Sequence, residues 1–82
     1  MSTSEPELRR IARAQIEQGH LPCDPPVHTW GGQGEGKLCE LCGQRIGPEE
    51  IEYEVQMMAD HDLTCRFHWR CHAAWRAECT GG

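Results

Sequence analysis

The chain has few aromatic residues and no long apolar run. Its 82 residues include one Phe, one Tyr and three Trp, and only 38% are hydrophobic. A core that small leaves a domain short of stability. Below about 70–80 residues, apolar burial seldom supplies more than about 3–5 kcal/mol, so a covalent or metal staple is expected. No stretch approaches the ~18 apolar residues that a membrane span requires, and no membrane association is expected. The opening Met1-Ser2-Thr3-Ser4-Glu5-Pro6 lacks the apolar stretch of a secretory leader. The expectation is therefore the reducing cytoplasm, where cysteines bind metal more often than they bind one another. Positive charge is scarce too: eight Lys and Arg stand against thirteen Asp and Glu, for a net charge of −5. Non-specific binding to nucleic acid needs a positive field and is disfavoured.

Cysteine is what the chain has in quantity, six in all. Cys39 and Cys42 form C-x2-C, and His68 and Cys71 form H-x2-C. Two tight pairs of soft and borderline ligands are how proteins present a tetrahedral zinc site. The pattern assigns one Zn²⁺ to Cys39, Cys42, His68 and Cys71. Three thiolates and a neutral imidazole fill four positions and leave none for water, so the site is structural and no catalytic residue is assigned. Gly43, directly after the first pair, suits the left-handed conformation of such a turn. A helix beginning near Trp69 would favour the Cys71 thiolate through its N-terminal dipole. Cys65 and His72 are the residues that could stand in for His68. Cys65 alternates with Leu63 and Phe67 and reads instead as a small buried hydrophobe. His72 reads as a surface residue, and Cys23 and Cys79 receive no site role.

Three segments follow from the pattern. Residues 1–20 hold an amphipathic helix over 4–18, with Leu8, Ile11, Ala12 and Ile16 forming one apolar stripe. Ser4 and Glu7 are placed for a capping box, Pro6 falls in the first turn, and Gly19 supplies a stop. This helix is expected to lay its stripe on the metal module, the alternative being a partner-binding or dimerising helix. Residues 21–37 read as a Pro/Gly-rich linker around Trp30. Its glycines do not make a phosphate loop, because Lys37 leads into a cysteine pair rather than a Ser/Thr-headed helix. They suit a loop whose backbone passes close to the metal or to Trp30. Residues 38–79 read as knuckle, β-hairpin and helix. Ile51, Tyr53, Val55 and Met57 alternate with Glu52, Glu54 and Gln56, Asp60-His61-Asp62 makes the turn, and Leu63, Cys65 and Phe67 alternate on the return strand. A helix over 69–78 then carries Cys71, Trp75 and Cys79 along one side.

Leu38-Cys39-Glu40-Leu41-Cys42-Gly43, together with Phe67-His68-Trp69-Arg70-Cys71 and Trp75, resembles a single-site treble-clef zinc finger. The string is similar to the first halves of RING and LIM domains. Both of those families carry a second zinc site that this chain lacks, so ubiquitin-ligase activity is not implied. The run from Trp30-Gly31-Gly32 through Glu52-Tyr53-Glu54 to His68 and Trp75 is similar to small bacterial zinc-binding proteins, a resemblance that implies no activity.

The fold expected is thus small, α+β and metal-stabilised. The function expected is a non-catalytic, monomeric protein–protein interaction module, with Trp30 and the Glu52/Glu54 strand face as its surfaces. Arg66, Arg70 and Arg76, with Trp69 for stacking, offer the alternative of nucleic-acid binding. A His-Me-type nuclease using His61 and His72, or a redox-sensing zinc site using Cys65 or Cys79, has less support.

Overall fold

In the computed structural model, which describes residues 4–23, 26–57 and 64–80, helix α1 (Glu5–Glu17) is followed by strands β1 (Pro26–Gln33), β2 (Ile51–Met57) and β3 (Thr64–His68) and helix α2 (Trp69–Cys79). The strands form one antiparallel sheet in the order β1-β2-β3. Helix α2 lies against the sheet and α1 packs on α2. This is a small α+β arrangement.

The apolar stripe of α1 docks as its spacing implies. Leu8 and Ala12 are buried, and Ile11 and Ile16 pack against the core. Pro6 occupies the first turn, where its missing N–H costs nothing. The helix ends in a Schellman arrangement: the Gly19 amide donates to the Ile16 carbonyl and the His20 amide to that of Gln15, with Gly19 at φ +77°. The capping box does not form. Ser4 makes no side-chain cap, and the Glu7 carboxylate pairs with the Arg10 guanidinium instead. A charge-assisted pair outcompetes a neutral amide donor.

Three features tie α1 and the chain after it to α2. Arg9 and Arg13 donate through Nε to the two carboxylate oxygens of Glu78, at 2.7 and 3.0 Å. Cys23 and Cys79 are joined in a disulfide across 56 residues of sequence. Pro22 is held beside it, its carbonyl accepting a 2.8 Å hydrogen bond from the Trp75 indole. Neither cysteine is the bystander that its place in the sequence suggested.

The 21–37 segment is more than a linker, because it supplies strand β1. Thr29 and Trp30 favour extended backbone, and a Cβ at Gly31 would meet the Tyr53 ring at an ordinary contact distance of 3.5 Å. The close backbone approach expected of this segment occurs at Gly34. A Cβ there would lie 2.1 Å from the Gly47 carbonyl oxygen, so the chain passes directly against the 46–47 turn rather than against the cysteines.

Strands β2 and β3 alternate as predicted on the helix-facing side. Val55, Met57, Cys65 and Phe67 are buried, and Phe67 stacks on Trp75 at 4.9 Å. Two residues depart from the alternation. Ile51, at the strand's start, is exposed. Glu52, read as a solvated face, is 5% exposed, because β2 is the central strand and Glu52 sits between Gly32 and His68 on its neighbours. The expected turn at Asp60-His61-Asp62, and Leu63 after it, lie outside the described residues.

Candidate metal centre

The knuckle is built by backbone. The Cys39 amide donates to the Gln44 carbonyl, the Gly43 amide to that of Cys39, and the Ile46 amide to that of Lys37. Gly43 adopts φ +76°, the left-handed conformation that its position after the cysteine pair predicts. The Glu40 amide donates to the Arg66 carbonyl at 2.7 Å, which sets the knuckle beside β3. His68 closes β3 and stands at the N-cap position of α2 without a side-chain cap bond, and Cys71 lies in the first helical turn. The ligand-type atoms of Cys39, Cys42, His68 and Cys71 all lie within 4.8 Å of one another, a group that could hold a metal ion.

The spacing suits a tetrahedral ion. With Zn–S near 2.3 Å and Zn–N near 2.0–2.1 Å, sulfur and nitrogen ligands stand about 3.6 Å apart. The His68 Nδ1 is 3.4 Å from the Cys42 sulfur and 3.8 Å from that of Cys71. The other ring nitrogen is occupied: Nε2 lies 3.2 Å from the Arg45 carbonyl and 3.4 Å from a Glu50 carboxylate oxygen. A proton on Nε2 donates to that pair and leaves the Nδ1 lone pair directed at the thiols, the outer hydrogen bonding usual for a metal-ligating histidine. Glu50 is itself fixed, accepting from the Gly47 amide at 2.8 Å. Neither Glu50 nor the Arg45 carbonyl was legible as part of the centre, since Glu50 sits in an acidic run with no distinguishing spacing.

Burial and charge separate the cysteines. Cys39 and Cys71 are buried, and Cys42 is half-buried beside a cleft of about 290 Å³ walled by Leu8, Ile51 and Trp69. Three thiols this close do not ionise independently. The Cys39 thiol is lowered to about 4 because the Cys71 thiol donates to it, with backbone groups of Cys42, His68 and Leu41 assisting against the cost of burial. Cys71 is correspondingly raised, first by that donated hydrogen bond and then by burial, and burial also raises Cys42. A dication replaces these shared protons and lets all three sulfurs carry charge.

The competing ligands stand elsewhere. Cys65 is buried in β3, its thiol pushed up to about 11 by burial and by Glu40, as an inert core residue. His72 is not a free surface residue. Its ring stacks on Tyr53 at 4.7 Å and meets Phe67 and Trp75 edge-on, and burial and Arg76 lower its pKa. Arg66 and Arg76 do not converge. Arg66 lies near Glu52 and Glu54 on the sheet face away from α2, while Arg76 lies over the Trp75 ring. His61 falls outside the described residues. The Cys23–Cys79 pair was missed: three cysteine ligands leave three further cysteines, of which Cys65 stays free and the other two pair.

No protein family, curated protein or solved structure matches this chain. No helix among the described residues is long and apolar enough to cross a membrane.

Proposed function

We propose that the chain is a structural zinc protein: one Zn²⁺ held by Cys39, Cys42, His68 and Cys71 fixes a single treble-clef-like unit of knuckle, hairpin and helix. The observation that carries this reading is the convergence of three sulfurs and an outer-bonded imidazole within 4.8 Å. Soft thiolate ligands in a compact four-atom set favour zinc over hard, oxygen-seeking cations. Four protein ligands leave no coordination position for substrate, so the metal organises the fold and the protein acts non-catalytically, as a monomeric protein–protein interaction module. The cytoplasm is the compartment that keeps such thiolates available. In that compartment the Cys23–Cys79 pair is subject to reduction, while the metal-bound sulfurs are protected by coordination.

Native mass spectrometry before and after chelation, with circular dichroism alongside, tests the proposal. One zinc per monomer, with the folded signal lost on chelation, is expected. A protein that stays folded without metal would sink it.

A further inference from the structure

The sheet face turned away from α2 carries a second cleft, of about 300 Å³, whose walls include Trp30, Gly32, Glu35, Glu52 and Glu54. Its shape follows from register. Trp30 pairs across the strands with Glu54 and Gly32 with Glu52, so these four positions share one face. Gly32 contributes no side chain, and the hollow opens above Glu52. Packing does not demand that glycine: a Cβ at position 32 would meet nothing within 4 Å, and its φ is not in the left-handed region.

The chemistry of the walls is one-sided. The walls carry three carboxylates, Glu35, Glu52 and Glu54, and the Arg66 guanidinium lies beside two of them, its Nε 3.5 Å from Glu54 and 3.8 Å from Glu52. The Glu52 side chain is 6% exposed, and neither its Oε1 nor the neighbouring Arg66 Nε has a hydrogen-bond partner. A buried carboxylate oxygen without a donor is costly. Beside it Trp30 is 49% exposed and stacked on His28 at 5.4 Å, presenting an indole where a core residue would be hidden. Strand β1 is also a sheet edge: β2 lies on one side, and among the described residues no strand pairs on the other. The opposite edge is occupied, because the Glu40 amide bonds the Arg66 carbonyl of β3.

We infer that this cleft receives the Lys or Arg side chain of an extended peptide that adds to the free edge of β1. Main-chain pairing along β1 supplies the register. The cationic head lies against the Trp30 indole and donates to Glu52 and Glu54, satisfying the orphan oxygen. The inference rests on the interaction-module reading and names the chemistry of its partner.

The test is NMR titration of the ¹⁵N-labelled zinc-loaded protein with ten-residue Val/Thr peptides carrying a central Arg, Lys, citrulline or Glu. Shifts confined to residues 28–35 and the Trp30 indole are expected with Arg and Lys, weakening with salt and absent with citrulline and Glu. Trp30→Ala should weaken Arg-peptide binding about tenfold. Gly32→Val, whose Cβ would meet nothing within 4 Å and which suits a strand, should abolish binding while leaving the rest of the spectrum in place. Binding indifferent to Gly32→Val and to the peptide's charge would overturn the cleft assignment and leave the module reading standing. No binding by any peptide to a folded, zinc-loaded protein would overturn the assignment and weigh against the module as well.

Discussion

The two ends of α2 are fastened by opposite chemistry. At its start, His68 and Cys71 meet the knuckle's Cys39 and Cys42 in a cluster that could hold a metal ion. At its finish, Cys79 is bonded to Cys23 and Glu78 is gripped by Arg9 and Arg13. The first end joins α2 to the sheet, and the second joins it to α1. A metal cluster demands several converging side chains and returns a large folding free energy. A disulfide demands only two and acts mainly by shortening the unfolded chain. Trp75, buried midway, stacks on Phe67 from the sheet and donates to Pro22 from the α1 side, so the two fastenings share one core.

The comparison breaks most sharply under chelation. In small zinc peptides metal binding is worth about 10–16 kcal/mol apparent, so removing the ion, or Cys39→Ser, should unfold the knuckle and the β3–α2 junction outright. Loss of dispersed amide signals from residues 38–46 and 64–71 measures this. Reduction should do less. Opening a cross-link across 56 residues removes about 4 kcal/mol in the chain-entropy picture, and urea denaturation of the zinc-loaded Cys23→Ser/Cys79→Ser variant checks it. The variant should keep its metal, with exchange protection lost first in α1. Unfolding of the metal end on reduction would show that the ends are not separable.

Two smaller effects sharpen the contrast. Glu50→Gln leaves the His68 ring without its carboxylate neighbour and should weaken zinc affinity by about 10–100-fold, read by competition with a chelating dye. It should leave the α1 end unchanged. Glu78→Gln should act only at the other end. The hydrogen bonds from Arg13 and Arg9 hold the Glu78 carboxyl below its ordinary value. A carboxyl lowered on folding stabilises the fold above its unfolded value and loses that contribution as pH falls through the folded one. The difference in melting temperature between the parent protein and Glu78→Gln should therefore shrink on acidification below about pH 4.3, the ordinary glutamate value. A difference that stays constant would remove the ion pairs from the account.

What was legible in the sequence was local. C-x2-C and H-x2-C are defined by spacing within a turn, and both pairs stand where the four atoms converge. The α1 stripe and the β2–β3 alternation are likewise short-range periodicities. What escaped depends on distant partners. The Cys23–Cys79 pairing needs α1 to reverse at Gly19 and lie along α2. Glu52 looked solvated because alternation assigns a face but not what covers it. Strand β1 was hidden because its pairing comes from β2, while its own glycines argue for a loop. Glu50 joins the metal centre only through the fold of the 47–50 turn.

Gly34 carries a consequence for natural variation. Its amide donates to the Glu50 carbonyl, and its missing side chain leaves room for the Gly47 carbonyl. Every other amino acid at that position pushes on the turn that carries Glu50, and through it on the orientation of His68. Position 34 is not one of the four candidate ligands, yet a substitution there is expected to reach them through Glu50.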